Sequence, residues 1–462
     1  MSNLDFFFNP KSVAIIGASD TIRFGFTTTK YLLNSKFKTY PVHLNKEEIL
    51  CHRAYKNVKD IPDDIELAIL LIGSEYVPQA IRDCIDKGVK GIIIESAGFA
   101  ETGVKKYIEL QENVKDMIKD SKIRIIGPNC VGVTDFHNKF STADVEFKRE
   151  KAGDISIIAQ SGVLGNVFID WGSSQSIGFA KSITLGNKID VDEVDVLDYL
   201  NKDDHTKIIT LYLEGTNRGK EFVDVLGRMT KPVLILKNGR TEIGSRAVIS
   251  HTSSIAGNDK IYDAVFKQNP MVFRVYDFYE MFNIAHIFAS QPIIKGKKIA
   301  IITASGSLGI LACDELVDKG LSLAELKEET RQKIKKIIPD YVSIGGTIDL
   351  GPSMFLTLSD SLKAIYKDEN VDALLFIFAI PRWPLEKFNF TFSPHFRLMK
   401  QLSKKYHKPI ICVCFGSRWV FEYINNNAFK FGIPVVDRIE HAVNAFKMMY
   451  EYEINVISKK ME

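Results

Sequence analysis

One histidine, His251, lies in the stretch Lys237 to Asp259, KNGRTEIGSRAVISHTSSIAGND, among small and hydroxylated residues. An imidazole can attack phosphorus through one ring nitrogen while a hydrogen bond to the other fixes its tautomer. Ser250, Thr252, Ser253 and Ser254 add hydroxyls and open amides suited to an anion, and Gly239, Gly244 and Gly257 give the backbone freedom of an accessible loop. The segment is therefore expected to be a loop, between the apolar run Pro232 to Leu236 and an amphipathic helix over Lys260 to Lys267. Two more groups fit the same chemistry. Glu214 closes the apolar run Ile208 to Leu213; a carboxylate at the tip of a central strand is costly to bury alone, so it should face a crevice and meet a donor such as an imidazole. Gln160, Ser161 and Gly162 close the run ISIIA and open a helical stretch, whose first amides and macrodipole make an anion site. Together they read as a phosphoryl relay, with Glu214 orienting His251 and the helix amides holding phosphate oxygens. Each residue alone has a plainer reading, as a capping histidine or a capping serine. A serine hydrolase is disfavoured, since no G-x-S-x-G elbow occurs.

The elements that must position these groups follow from the pattern of short apolar runs, each ending in small or polar residues before a helical stretch. In the first 148 residues the runs are Ser12 to Ile16, Tyr40 to Leu44, Leu67 to Ile72, Gly91 to Glu95 and Arg124 to Ile126. That is a doubly wound parallel sheet, and ligands of such sheets bind outside the strands' carboxyl ends. The residues there are Gly17, Ala18, Ser19 and Gly25, then Asn45 and Lys46, then Ser96, Ala97 and Gly98, then Pro128, Asn129 and Cys130. Lys46 is a candidate for a ligand phosphate, its ordinary alternative being a solvated lysine. The spacing from Gly17 to Gly25 does not fit G-x-G-x-x-G, which argues against an ordinary NAD site. A polar link from Phe140 to Gly153 leads to a second domain, 149 to 290, and a third opens at Ile299 to Ile302 with the turn Thr303 to Gly309. The third domain, 291 to 462, is expected to have flavodoxin-like strand order. Ile338 to Pro352 has no assignment, and the aromatics Trp383, Phe388, Phe390 and Phe392 read as a contact surface or as rings tucked against the domain.

At 462 residues the chain is long enough for two to four domains. Its 60 basic and 57 acidic residues nearly cancel, with no long run of either sign, so electrostatic capture of nucleic acid or membrane is not expected. The six cysteines lack zinc or C-x-x-C spacing, which together with the absence of a signal-like N-terminus or a long apolar span predicts a cytoplasmic protein.

Ser12 to Ser19 (SVAIIGAS), Gly98 to Gly103 (GFAETG), Gly127 to Cys130 (GPNC), Gln160 to Gly162 (QSG), Glu214-Gly215 and Ser250 to Thr252 (SHT), in this order, resemble the α subunit of ADP-forming acyl-CoA synthetases, relatives of succinyl-CoA synthetase. The resemblance covers nearly the whole chain. It implies a Rossmann-like CoA-binding domain at 1 to 148, a flavodoxin-like domain with the phosphohistidine at 149 to 290, and a flavodoxin-like ligase-type domain at 291 to 462. By it, His251 takes a phosphoryl group from an acyl phosphate and passes it to ADP. Glu214 steadies phosphohistidine, Gln160, Ser161 and Gly162 cradle its phosphate with Thr252 and Ser253, and the first-domain residues named above build the CoA site. It further implies ADP or ATP and Mg2+ on a separate ATP-grasp β subunit, an α2β2 assembly and a small carboxylic acid, most often acetate. The competing class is a CoA-binding or regulatory scaffold without turnover; a fused acyltransferase would need a domain for which no residues remain. The chain departs from the family at Ser253, where glycine is usual, at Ser305 to Leu308, and at Gly346-Thr347, where Asn-Pro is common.

Overall fold

The structure, a computed structural model, describes all residues except 1–3, 144, 146, 253–256, 341, 343, 345, 346, 389 and 462, and the side chains of 249–252 and 458–461. By its contacts the chain divides into two compact units, Met1–Tyr276 and Asp277–Glu462.

The first unit holds two sheets. The strands of the first are β1 (Ser12–Ile16), β2 (Lys38–Val42), β5 (Leu67–Leu70), β6 (Gly91–Ile94) and β7 (Arg124–Ile126), with a small hairpin of β3 (Glu48–Ile49) and β4 (His52–Arg53) beside them. They run parallel in the order β2-β1-β5-β6-β7. Strands such as LAIL and GIII are buried at every position because helices cover both faces, which is why they read as unbroken apolar runs. One side of this core joins Ala14, Leu70, Ile92 and Ile94 to Ile81, Phe99 and Val114.

The second sheet is built from β8 (Val133–Asp135), β9 (Phe140–Ser141), β10 (Ala152–Ala159), β11 (Phe179–Thr184), β12 (Ile208–Leu213), β13 (Val233–Lys237) and β14 (Val272–Val275), in the order β14-β13-β12-β10-β11-β8-β9. From β10 to β14 the pairing is parallel, and β8 and β9 add an antiparallel edge on β11. The stretch from Phe140 to Gly153 is thus not wholly a link. Phe140 and Ser141 form an edge strand and β10 already begins at Ala152; a pairing of two residues is too short to leave a periodic signal.

The second unit begins with the helix Phe278–Ser290. Its strands are β15 (Lys298–Thr303), β16 (Ser322–Leu323), β17 (Ile348–Asp349), β18 (Ala373–Ala379), β19 (Ile410–Phe415) and β20 (Val435–Val436), in the order β16-β15-β18-β19-β20 with β17 also on β15. Part of the stretch from Ile338 to Pro352 that lacked an assignment is therefore a short strand. Phe390 and Phe392 pack on the core with Phe355 and Phe378, whereas Trp383 and Phe388 are exposed.

All three sheets share one topology. Renumbered within each sheet, and leaving out the two-residue β17, the parallel strands run 2-1-3-4-5, the flavodoxin-like order. Connections leave in opposite directions from the first and third strands, so a crevice opens beyond their carboxyl ends. It falls between β1 and β5, between β10 and β12, and between β15 and β18.

Candidate active site

Register brings the second sheet's carboxyl ends level. Ala159 lies beside Thr184 and Tyr212, and Leu213 lies beside Lys237. The next residues, Gln160-Ser161 after β10 and Glu214-Gly215 after β12, therefore emerge side by side at the switch point. Gln160 is buried, and its Oε1 accepts from the amides of Glu214 (2.9 Å) and Gly215 (3.3 Å). Glu214 is buried too, and Tyr212 Oη donates to its Oε1 at 3.5 Å while accepting from Asn238 Nδ2 at 2.8 Å. Burial, with the Glu214 carboxylate nearby, pushes the Tyr212 hydroxyl up to about 12, so it stays a donor.

Ser161 is the N-cap of the helix Gly162–Ser174, with extended dihedrals and no side-chain bond to the helix amides. Those amides, at the positive end of the dipole, are left at the crevice uncapped by its hydroxyl. The helix can lie so close because of Gly165. A Cβ there would come within 2.4 Å of Thr184 Cγ2 on β11.

The His251 segment is a correction. It is not a loop: Glu242–Thr252 is an α-helix with His251 in its last turn. Thr241 caps it, its Oγ1 accepting from the Gly244 amide at 3.0 Å, and Glu242 pairs with Arg246 one turn on. Of the three glycines expected to loosen a loop, Gly239 and Gly257 have positive φ at the flanks, while Gly244 sits within the helix. The helix lies against the 3-10 turn Ala100–Thr102 that follows β6, and a second helix, Asp259–Gln268, follows the segment. The side chains of Ser250, His251 and Thr252, and Ser253 and Ser254 entirely, lie outside the described residues.

The residues expected to bind CoA collect along one rim of the first sheet. Gly17, Ala18 and Ser19 follow β1, Asn45 and Lys46 follow β2, Ser96, Ala97 and Gly98 follow β6, and Pro128, Asn129 and Cys130 follow β7. Gly25, with φ of 83°, is the N-cap of the helix Phe26–Leu33. Lys46 Nζ lies 2.6 Å from Asp20, and this bond holds the Asp20 carboxyl below its ordinary value. Ser19 is buried and accepts from Arg23 Nε at 2.9 Å. Ser96 is buried as well, donating to Ile72 O, and the Asn129 amide donates to Ser96 O at 2.9 Å. Cys130 donates to Ile94 O from a buried position, and burial pushes its thiol far up, which makes it a packing group.

The two rims are joined by the segment after β11. The Asn187 amide donates to Pro128 O, and its side chain donates to Glu101 Oε2 and Gln111 Oε1. Gly186, with φ of 60°, is required here because a Cβ would lie 2.1 Å from Pro128 O. Glu101 in turn accepts from the Gly98 and Phe99 amides, so the turn touched by the His251 helix is fixed to both sheets.

Sequence reasoning passed over two buried lysines beside the Glu214 turn. Lys188 Nζ donates to Gly215 O at 2.7 Å and lies 2.9 Å from Glu193 Oε2. Lys237, the last residue of β13, has its Nζ 4.7 Å from the centre of the Tyr262 ring, whose hydroxyl accepts from the Thr216 amide at 3.1 Å. Burial pulls the Lys237 ammonium down to about 8. The available signal was position: both follow or end strands at the same sheet edge. Among the described residues no group of three or more ligating side chains could hold a metal ion.

Comparison with known proteins fits this geometry. Residues 11–135 match the model of a CoA binding domain, and residues 152–288 that of the succinyl-CoA ligase like flavodoxin domain. The α subunit of ADP-forming acetate–CoA ligase II of Pyrococcus furiosus is 36% identical over 98% of this chain and 98% of its own length. The chain belongs to the family of ADP-forming acyl-CoA ligase α subunits. Another member, ADP-forming acetate–CoA ligase II of Archaeoglobus fulgidus, is 38% identical over 96% of this chain, which spans 66% of that longer protein. Among solved structures, the dinucleotide forming acetyl-coenzyme A synthetase 1 of Ca. Korarchaeum cryptofilum, in complex with phosphate and ADP, superposes with a TM-score of 0.89 at 28% identity, covering 100% of both chains. Within this ligase family the three-sheet α/β architecture, with its CoA-binding and flavodoxin-like parts, is as the sequence pattern led one to expect.

Proposed function

We propose that this chain is the CoA-binding, phosphohistidine-carrying subunit of an ADP-forming acyl-CoA ligase, with acetate as the first acid to test. In the direction of ATP synthesis, phosphate attacks the acyl-CoA carbonyl, giving acyl phosphate and releasing CoA. One ring nitrogen of His251 then takes the phosphoryl group, freeing the carboxylate, and later yields it to ADP. Glu214 accepts a hydrogen bond from the other ring nitrogen and stabilises the charge that builds on the ring. The amides after Ser161, with Gly162, Thr252 and Ser253, hold phosphate oxygens. CoA lies along the first rim, from Gly17, Ser19 and Lys46 to Ser96 and Asn129.

The observation that carries this reading is the Gln160–Glu214 crossing at the switch point, with an uncapped helix N-terminus on one strand end and a buried carboxylate on the other. The division at 148 and 290 into CoA-binding, phosphohistidine and ligase-type domains belongs to the same reading. Relatives named as α subunits support a separate β partner. We assign that partner the ATP-grasp fold, the nucleotide and Mg2+, and an α2β2 assembly. Among the described residues no helix is long and apolar enough to cross a membrane, and all six cysteines are thiols; we place the protein in the cytoplasm. The test is reconstitution with an ATP-grasp β polypeptide. Acetyl-CoA, ADP and phosphate should yield ATP with both chains present and none with the His251→Ala variant. ATP formation at the wild-type rate by that variant would overturn the assignment, and a panel of acids would then rank substrates for the wild type.

A further inference from the structure

The turn Glu214 to Thr216 is held at its backbone by groups from three different elements. Gln160 Oε1, beyond β10, accepts from the Glu214 and Gly215 amides. Tyr262 Oη, on the helix Asp259–Gln268, accepts from the Thr216 amide. The carbonyl of Gly215 is taken by Lys188, beyond β11, whose Nζ is also paired with Glu193. That pair is buried: the side chain of Lys188 is 3% exposed and that of Glu193 is fully covered. Glu193 itself stands in the first turn of the helix Glu193–Lys202, next to the N-cap Asp192, and Arg218 ties Asp192 to Asp195.

A buried ion pair is a poor way to stabilise a fold, because desolvation cancels much of the attraction and apolar residues of similar size do as well. Lys188 also has a φ of 57°, in the left-handed region that a branched or long side chain enters at a cost. A lysine kept under both penalties, with its ammonium on the carbonyl next to Glu214, has a positional use. It holds the Gly215–Thr216 peptide while Gln160 holds the Glu214–Gly215 peptide, and together they fix the backbone from which the Glu214 carboxylate projects.

We infer that Lys188 is a positioning residue for phosphoryl transfer, acting through the Gly215 carbonyl on Glu214 and anchored by Glu193. The inference rests on the phosphohistidine reading above. It acts on the step that makes and discharges phosphohistidine and leaves CoA capture on the first sheet untouched. Removal of Lys188 lets the Gly215 peptide turn, and Glu214 then spends only part of its time facing the imidazole.

The test uses the full chain with its β partner, comparing wild type, Lys188→Met and the double variant Lys188→Met with Glu193→Leu, which removes both buried charges. Rapid-quench labelling from acetyl-CoA and radioactive phosphate gives the rate of phosphoenzyme formation, steady-state assays give kcat and the KM for CoA, and thermal melting reports the fold. Expected is a fall of about 10- to 100-fold in phosphorylation rate and kcat in both variants, with the KM for CoA within a factor of two. The double variant should melt like the wild type, and Lys188→Arg should recover part of the rate. Wild-type phosphorylation by a well-folded double variant would overturn the inference, since the ion pair would then be only structural. A wild-type protein that takes no label at His251 would overturn the phosphohistidine reading beneath it, which the Lys188 variants alone cannot do.

Discussion

Glu214 follows β12 and Lys237 ends the neighbouring β13, and both are buried. For Glu214 the account assigns a hydrogen bond to the imidazole and stabilisation of its phosphorylated form. Glu214→Gln keeps the size and the backbone bonds to Gln160 but weakens the acceptor, so phosphoenzyme formation should slow about 100-fold while the melting temperature holds. Quench-flow on the variant measures it, and an unchanged rate would remove Glu214 from the chemistry. Lys237 is a matter of stability. Its folded value is pulled down to about 8 by burial, against an ordinary 10.5. Between those values the unfolded chain binds the proton that the folded chain has released, so stability rises with pH across that window and the penalty is fully present below it. Denaturant titrations at pH 7, 9 and 10 should show the wild type gaining on Lys237→Met as pH rises; parallel profiles would contradict the burial argument. The positions of Glu214, Gln160 and Ser161 at strand ends were legible in the sequence because each comes just after an unbroken apolar run. Lys188 was not, since a lysine in a polar stretch reads as solvated until the fold supplies Glu193 and Gly215 around it, and Lys237, though it ends the apolar run Val233 to Leu236, shows its burial only once Tyr262 lies over it.

At the scale of elements, the runs that failed to announce themselves are those interrupted by paired charges or cut short. Strand β11, FAKSIT, carries Lys181 and Ser182 in its middle; Lys181 is buried because Asp203 lies 2.6 Å and Asp135 3.4 Å away, partners that lie elsewhere in the sequence. The serines and glycines of the His251 segment favour a loop, yet the segment is helical. A helix forms because Thr241 caps it, Glu242 meets Arg246, and Val248 is buried, and one internal glycine costs only about 1 kcal/mol against these. The helix Gly162–Ser174 gives the sharpest test at this scale. A valine at Gly165 would drive against Thr184 and lift the helix from β11, so Gly165→Val should lose about 1–3 kcal/mol of stability and slow phosphorylation with it. Equilibrium unfolding beside the labelling assay checks both, and a variant as stable as the wild type would mean that the close approach is not needed.

Across the whole molecule, one strand order is used three times, and the proposed chemistry uses two of the three switch points. Both lie in the unit Met1–Tyr276, where Asn187, Gly186 and Glu101 lock the rim of the first sheet to that of the second, and the helix that carries His251 rests on the same turn. The repeated strand-turn-helix openings made the α/β class readable from the sequence alone. The edge strands β8 and β9 were not, because β8 pairs with the distant β11, β9 only with β8, and two or three residues leave no pattern. The proposed relay depends on covalent phosphate at one imidazole. The purified full-length chain should be incubated with acetyl-CoA and radioactive phosphate, then digested and mapped. An acid-labile, base-stable phosphate is expected on the peptide containing His251, discharged by acetate and CoA and absent from His251→Ala. Label that survives in that variant, or that maps to another residue, would contradict it.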